Sequence, residues 1–127
     1  MMIEFPWRLR HFANTTGSFW AKANHAKKLR ALVAWHLLPI RSRPALPCQV
    51  TITRLAPRSL DSDNLVHACK HVRDEVAKWI GVDDRHDDQV HYVCKQQHTD
   101  PGKYYVRIEF QSLSPPPTQP SKKDKLT

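Results

Sequence analysis

The chain has 127 residues, the length of one ordinary domain, and its 40% of hydrophobic residues can form a core without disulfides or a structural metal. The formal net charge of +8 favours an anionic partner, nucleic acid ahead of an acidic membrane surface, and leaves open a basic protein without such a partner. Three scattered cysteines exclude a disulfide framework, and the absence of a long apolar run or a signal-peptide layout predicts a cytoplasmic protein without a membrane span.

The first third of the chain predicts a strand and a helix. Residues 1–10 form a short strand, which Pro6 confines to a sheet edge or a strand end. Apolar residues at spacings of three and four predict a helix over residues 18–38. Basic residues occupy its remaining positions, namely Lys22, Lys27, Lys28 and Arg30. They form either a solvated face or a surface that contacts DNA.

The middle of the chain predicts a strand over residues 49–55, an acidic loop and the clearest helix. On a helical wheel, residues 64–80 have one apolar stripe, composed of Leu65, Cys69, Val72, Val76, Trp79 and Ile80. Asp63 is expected to cap the amino end of this helix, and Gly81 to follow its last residue. A second acidic loop begins at Asp83.

Two alternating segments, residues 89–95 and 104–111, predict the last strands. The turn residues 99–103 between them predict a hairpin. From residue 112 the chain is rich in proline and lysine and is expected to be a disordered tail, so residues 1–111 form the single domain. The order β-α-β-α-β-β predicts an α+β fold with a small mixed sheet and two main helices. If the strands on either side of the second helix are parallel, that helix forms a right-handed crossover.

Eight of the twelve acidic residues lie between Asp61 and Asp88. Carboxylates from two loops suit a hard divalent cation such as Mg²⁺, which can activate water and neutralise phosphate. A helix of this length spans about 25 Å, however, and separates the two acidic loops. They meet only if the chain turns back after Gly81, if Asp84 reaches the ion from the sheet, or if two subunits contribute. The alternative is two acidic surface loops with capping and turn aspartates.

An ordered set of residues resembles the RusA family of Holliday junction resolvases, especially members carried by phages and prophages. The set is Asp61-Ser62-Asp63-Asn64-Leu65, Lys70, Arg73-Asp74 and Trp79-Ile80-Gly81-Val82-Asp83-Asp84. The likeness covers residues 50–110. It implies a RusA-like fold and a homodimeric, Mg²⁺-dependent endonuclease that resolves four-way DNA junctions by paired nicks in recombination or repair, with Mn²⁺ as a possible substitute and no small-molecule cofactor.

Carried over by position, the resemblance makes Asp61, Asp63 and Asp84 metal ligands and catalytic residues, with Asp83 as an adjacent candidate ligand. Lys70 is the candidate catalytic lysine. In the family pattern the lysine lies one turn earlier on the helix, and this chain has His67 at that position. Arginine binds phosphate through two parallel hydrogen bonds. Arg54 and Arg58, which lead into the acidic loop, are therefore predicted to contact phosphate. The other predicted DNA contacts are Lys70 and Arg73 on the second helix and Lys27 and Lys28 on the first helix.

Other functions remain possible from the residues. A non-catalytic basic module for DNA binding or assembly would keep the same fold, and an RNA-directed nuclease is a third choice. His67 and His71, four apart on one helix, suit zinc, although Cys69 points to the apolar face. Trp7 and Trp20 are candidates to stack on bases, whereas Trp79 reads as a core residue and Trp35 as buried or dimer-facing.

Overall fold

The computed structural model describes residues 1–10, 19–82 and 88–113. Its elements, in chain order, are β1 (Met2–Pro6), α1 (Phe19–Leu37), β2 (Cys48–Ala56), α2 (Ser62–Ile80), β3 (Val90–His98) and β4 (Tyr105–Ser112). The predicted order and the predicted α+β class, with a mixed sheet and two helices, are confirmed. Strand β4 includes Ser112, which pairs with Cys48, so the strand continues one residue past the predicted domain boundary.

The four strands lie in the order β1-β4-β2-β3. Strands β2 and β3 are parallel, so α2 is the crossover between them. Strand β4 is antiparallel to both β1 and β2, which makes β1 parallel to β2 and β3. The last residues of β1, β2 and β3 therefore lie at the same end of the sheet, which we call the carboxyl end. In sheets with parallel strands, this is the edge at which binding sites usually form.

The predicted hairpin between β3 and β4 is wrong, because β2 lies between these two strands. The turn itself forms: the Lys103 amide donates to the Asp100 carbonyl at 3.1 Å, and Gly102 has a φ of +83°. The connection passes the end of β2, where the Thr99 amide donates to the Ala56 carbonyl at 3.2 Å. Turn residues specify that the chain reverses, but they do not specify which strand becomes the neighbour.

Strand β2 takes the central position because it is apolar or β-branched on both sides and is buried along nearly its whole length. The core lies between one face of the sheet and the two helices. It is built from side chains of all six elements, among them Phe5, Leu29, Val33, Val50, Ile52, Val72, Val76 and Ile108. The other face carries polar side chains such as Thr51 and Thr53, and an ion pair joins Arg107 to Glu4 at 2.8 Å.

Helix α2 begins two residues earlier than predicted, and its N-cap is Asp61 rather than Asp63. Asp61 has extended backbone angles, and its side chain accepts from the Asn64 amide, the bond that defines a capping residue. Gly81 ends the helix in the left-handed conformation, as predicted, with a φ of +87°. The predicted apolar stripe is buried or packs against the core.

Helix α1 buries Leu29, Val33 and Leu37 and leaves Trp35 on the outside. The prediction that Trp35 is buried is wrong, because 70% of its surface is exposed, whereas a dimer-facing role stays a prediction.

Trp79, predicted as a core residue, packs against the core and against the Phe110 ring, with ring centres 5.3 Å apart. Among the described residues, neither helix has the length and apolarity that crossing a bilayer requires.

Candidate active site

Two of the carboxylates predicted to bind metal lie at the amino end of α2, at the carboxyl end of the sheet: Asp61 is the N-cap, and Asp63 lies in the first turn. One Asp61 carboxylate oxygen accepts from the Asn64 backbone amide at 2.9 Å, and the other accepts from the Asn64 side-chain amide at 3.2 Å. Asn64 thus holds both oxygens of Asp61 in a fixed orientation. Each oxygen keeps a second lone pair, and Asp61 is exposed, so the carboxylate can still coordinate a cation.

Asp63 is the second residue of α2 and is also exposed. Its negative charge is stabilised by the positive end of the helix dipole. His67 and Lys70 follow it at i+4 and i+7 and share its side of the helix, and both are exposed. Lys70 is about 10 Å along the axis from Asp63 at 1.5 Å per residue, which suits a contact with a neighbouring phosphate better than with the same metal ion.

The loop before Asp61 is fixed to β3 by Gln96. The Leu60 amide donates to the Gln96 side-chain oxygen at 2.9 Å, and the Gln96 side-chain nitrogen donates to the Leu60 carbonyl at 2.7 Å. Ser59 and His98 form a further side-chain hydrogen bond of 2.7 Å. Sequence reasoning missed Gln96 as a positioning residue, since a lone glutamine carries no motif, and only the parallel pairing of β2 with β3 places it beside this loop.

Arg54 is buried inside this end of the fold, with 7% of its surface exposed. Its Nε donates to the Leu9 carbonyl at 3.0 Å, and a terminal nitrogen donates to the Arg58 carbonyl at 2.6 Å. The guanidinium therefore joins the chain after β1 to the loop after β2. This placement disfavours the predicted phosphate contact for Arg54 and makes it a positioning residue for the loop that carries Asp61.

Exposed positive charge surrounds the buried arginine. Arg58 is exposed, as a phosphate contact requires. Arg8 follows β1 and stacks on the Tyr104 ring, with its guanidinium carbon 4.9 Å from the ring centre. It also lies near Arg54. Burial is the main cause that lowers the pKa of Arg54, and the positive charge of Arg8 adds to the effect. Sequence reasoning missed Arg8. The signal that would have found it is the parallel relation of β1 and β2, which brings residues after both strands to one edge.

The remaining predicted cations are more distant from the aspartates. Arg73 is partly buried in the middle of α2, where its charge acts on the thiols of Cys69 and Cys94, a placement that disfavours a direct phosphate contact. Lys27 and Lys28 are exposed on α1. Lys27 borders a cavity of about 510 Å³ between the helices. The structure does not bring these three residues to the first turn of α2.

Asp83 and Asp84 lie outside the described residues. The described residues on either side of them are at the opposite end of α2 from Asp61: Gly81 caps the carboxyl end of the helix, and the Gln89 carbonyl accepts from the Cys48 amide at the start of β2. A helix of 19 residues is about 28 Å long. Within residues 1–10, 19–82 and 88–113, no group of three His, Cys, Asp or Glu side chains is placed to hold a metal ion.

That finding also applies to the zinc alternative, since His67, Cys69, His71 and Cys94 all belong to the described part of the chain. Their side chains have other contacts: Cys69 is buried against Cys94, and the His71 ring accepts a hydrogen bond from Arg30 at 3.1 Å. Of the candidate base-stacking residues, Trp20 is 73% exposed, whereas Trp7 packs against the core and the His25 ring.

Two histidines at the contact between the helices favour their neutral forms. A guanidinium can only donate, so the His71 Nδ1 that faces Arg30 must be unprotonated. Burial lowers the pKa of His71, and the positive charge of Arg30 adds to the effect. Burial likewise lowers the pKa of His25, helped by Arg10 and His71. Protonating either ring would place a cation beside other cations in a partly buried site.

The fold is therefore expected to lose stability in mild acid. Because both folded pKa values lie below the unfolded value of about 6.5, the unfolded chain binds more protons, and the free energy of unfolding falls as the pH drops from about 6.5 toward the folded values. Urea unfolding at several pH values between 7.5 and 5 measures this. A double variant, His25→Asn with His71→Asn, is expected to flatten the dependence, and His91→Asn, an exposed residue of β3, serves as the control. An equally steep dependence in the double variant would contradict the assignment.

Comparisons of the chain with protein-family models, with curated proteins and with solved structures found no match.

Proposed function

We propose that the chain is a divalent-metal-dependent endonuclease of the RusA type that acts on branched DNA. The observation that supports this best is the pair of exposed carboxylates at the amino end of α2, Asp61 at the N-cap and Asp63 in the first turn, at the carboxyl end of the sheet. Two neighbouring carboxylates that solvent can reach attract a divalent cation, and the exposed cations of a chain of net charge +8 attract the phosphates of DNA. The RusA-like character of the fold belongs to the same proposal.

The donor set suits Mg²⁺, because this ion is often bound by one or two carboxylates and keeps several waters. Asp61 and Asp63 would hold it, with Mn²⁺ as a substitute. Bound there, the ion would supply an activated water and neutralise charge on the phosphate. Asp84 and Asp83 remain the candidates for a further ligand. Asn64 fixes the Asp61 carboxylate, and Gln96 and Arg54 fix the loop before it.

The cations around the carboxylates would bind the DNA backbone. Arg58 precedes Asp61 by three residues and is exposed, and Arg8 lies at the same end of the sheet. Lys70 is two helical turns from Asp63 on the same side of α2, where it would stabilise charge on an adjacent phosphate. Contacts of this kind are sequence-independent and weaken as salt rises. They suit a protein that selects DNA by its branched shape.

A homodimer is part of the proposal, since paired nicks in a four-way junction require two active sites. A two-fold axis would present the same face of each subunit to the two strands that are cut. Candidates for the subunit contact are two exposed apolar side chains, Trp35 on α1 and Leu38 immediately after it. A role in recombination or repair in the cytoplasm of a bacterial cell, with phage or prophage origin, follows from the resemblance.

The test compares a labelled four-way junction with a linear duplex of matching sequence, each incubated with the full chain in Mg²⁺, in Mn²⁺ and in excess chelator. The expected result is paired nicking of the junction with either metal, no nicking with chelator, and little cutting of the duplex. Binding is measured in parallel at two salt concentrations. The proposal fails if no substrate is cut in any divalent metal while the junction is still bound.

That outcome would favour the second candidate function, a non-catalytic module for DNA binding or assembly. One observation supports it: the part of the chain that the structure describes holds two carboxylates at the site and no third metal-ligating side chain beside them. Such a module would bind junctions with a steep salt dependence and no metal requirement. Cutting of duplex RNA in the same assay would instead indicate an RNA-directed nuclease.

A further inference from the structure

Two of the three cysteines meet between α2 and β3, away from the aspartates. Cys69 lies on the buried face of α2, and Cys94 on the face of the edge strand β3 that packs against it. The Cys69 thiol is buried, whereas Cys94 is partly accessible and packs against the core cluster that contains Cys69, close enough for each thiol to shift the pKa of the other. None of the three cysteines, all of which lie in the described part of the chain, is in a disulfide. The pair therefore has one thiol that solvent can reach and a second thiol in contact with it.

A buried nitrogen of the Arg73 side chain lies beside this pair. The Nε of Arg73 is buried and has no hydrogen-bond partner among the described residues. A buried donor of this kind is costly, and such groups require an explanation. The charge of Arg73 acts on both thiols. A thiolate or an oxidised sulfur at Cys94 would supply the acceptor that the guanidinium lacks, so the site favours the anionic forms of Cys94.

We propose that Cys94 is a site of reversible oxidation by hydroperoxides, with Cys69 as its resolving thiol and Arg73 as the residue that stabilises the reactive anion. The Cys94 thiolate attacks the terminal oxygen of the hydroperoxide and breaks the O–O bond. Cys94 becomes a sulfenic acid, and the peroxide is reduced to an alcohol or to water. The Cys69 thiol then attacks the Cys94 sulfur, which forms the disulfide and releases water.

The ionisation of Cys94 is consistent with its role as the attacking thiol. The hydrogen bond from Cys69 and the charge of Arg73 lower the pKa of Cys94 to about 7, against the effect of burial. The hydrogen bond to Cys94, burial and the negative charge that Cys94 carries raise the pKa of Cys69. The Cys94 thiol is therefore ionised at neutral pH to a greater extent than a thiol with the ordinary pKa of about 8.5. Cys48 is buried, and burial raises its pKa, so it is the internal control.

The experiment treats the full chain with a small molar excess of hydrogen peroxide, in the absence of metal and DNA. The expected product has two fewer free thiols, and its mass is lower by two hydrogen atoms. Peptide mapping should show Cys69 joined to Cys94 by a disulfide. Dithiothreitol should restore both thiols. In Cys69→Ser, a dimedone adduct should accumulate on Cys94, while Cys94→Ser should give neither product. Cys48→Ser should behave like the wild type.

Arg73→Gln separates the stabilising role from simple packing. It should raise the pH at which Cys94 is alkylated by iodoacetamide and slow that alkylation several-fold at pH 7, with the disulfide still able to form at higher pH. The proposal is overturned if Cys94 is alkylated no faster than Cys48 in the folded wild type, or if peroxide yields only disulfides between chains. Neither readout depends on nuclease activity, so failure of this proposal and failure of the endonuclease proposal are distinguishable.

Discussion

Asp63→Asn is expected to reduce metal-dependent junction nicking by at least about 100-fold, because an amide oxygen is a neutral and weaker ligand for a hard cation than a carboxylate. Junction binding should stay the same or become tighter, since a negative charge near the phosphates has been removed. Asp63 is exposed in the first turn of α2, so its loss should cost the fold only the dipole contribution, about 0.3–1 kcal/mol. Single-turnover cleavage, binding in chelator and urea unfolding measure the three quantities.

Asp61 allows a sharper version of the same test, because its carboxylate caps the helix. Asparagine caps as well as aspartate does, so Asp61→Asn should retain the stability of the wild type and lose the activity. Asp61→Ala should lose the activity and also about 1 kcal/mol of stability, through the unpaired Asn64 amide. Glu109→Gln, an exposed carboxylate on the other face of the sheet, is the matched control and should leave cleavage unchanged.

Three outcomes are therefore separable. Loss of cleavage in both asparagine variants with normal folding supports a metal site at the first turn of α2. Loss of cleavage only in Asp61→Ala would mean that Asp61 acts through the helix cap alone. Wild-type cleavage in all three variants would contradict the site and also the cap role, whatever the fate of the overall function.

The elements of this fold could be predicted from the sequence because each has a clear period. The stripe from Leu65 to Ile80 recurs at helical spacing, and strand β2 alternates and is followed by turn residues. The sequence predicts the N-cap two residues too late because Asp61 and Asp63 are equally good capping residues by type. Only the backbone angles and the hydrogen bond from Asn64 identify Asp61.

Strand pairing could not be predicted in the same way. The hairpin prediction used local turn chemistry, which is correct at Gly102, whereas the neighbours of β4 are set by the burial of β2 in the middle of the sheet. The same limit applies to the site. Gln96 and Arg8 are distant from Asp61 in sequence, and they come to the carboxyl end of the sheet only through the parallel relation of β1, β2 and β3.

Arg54 shows how burial and hydrogen bonding change the reading of a residue type. An arginine before an acidic loop suggests a phosphate contact, yet its side chain turns inward and donates to the Leu9 and Arg58 carbonyls. Burial lowers the pKa of this guanidinium, which reflects the cost of keeping its charge away from water. That cost is offset because the guanidinium donates to one carbonyl in the segment after β1 and to one in the loop after β2.

Arg54→Met is accordingly expected to destabilise the fold by about 2–4 kcal/mol. The variant keeps most of the aliphatic packing but leaves the two carbonyls without a donor, and hydrogen bonds to a charged group are worth about 1.5–3 kcal/mol each, partly offset by the relieved burial of the charge. Arg54→Lys should be intermediate, because an ammonium lacks the planar fork that reaches both carbonyls. Urea unfolding of the full chain measures these differences.

Arg58→Met provides the matched control, since Arg58 uses its backbone carbonyl in this contact and its exposed side chain should change stability by less than about 0.5 kcal/mol. The two variants also make opposite predictions for DNA. Arg58→Met should weaken junction binding and reduce its salt dependence while the fold remains stable. Arg54→Met should act on binding only through the fold, so its effect should disappear at low temperature or with a stabilising osmolyte. Equal stability of the two variants would contradict the buried role of Arg54. A reduced salt dependence of junction binding in Arg54→Met would instead indicate that Arg54 contacts phosphate directly.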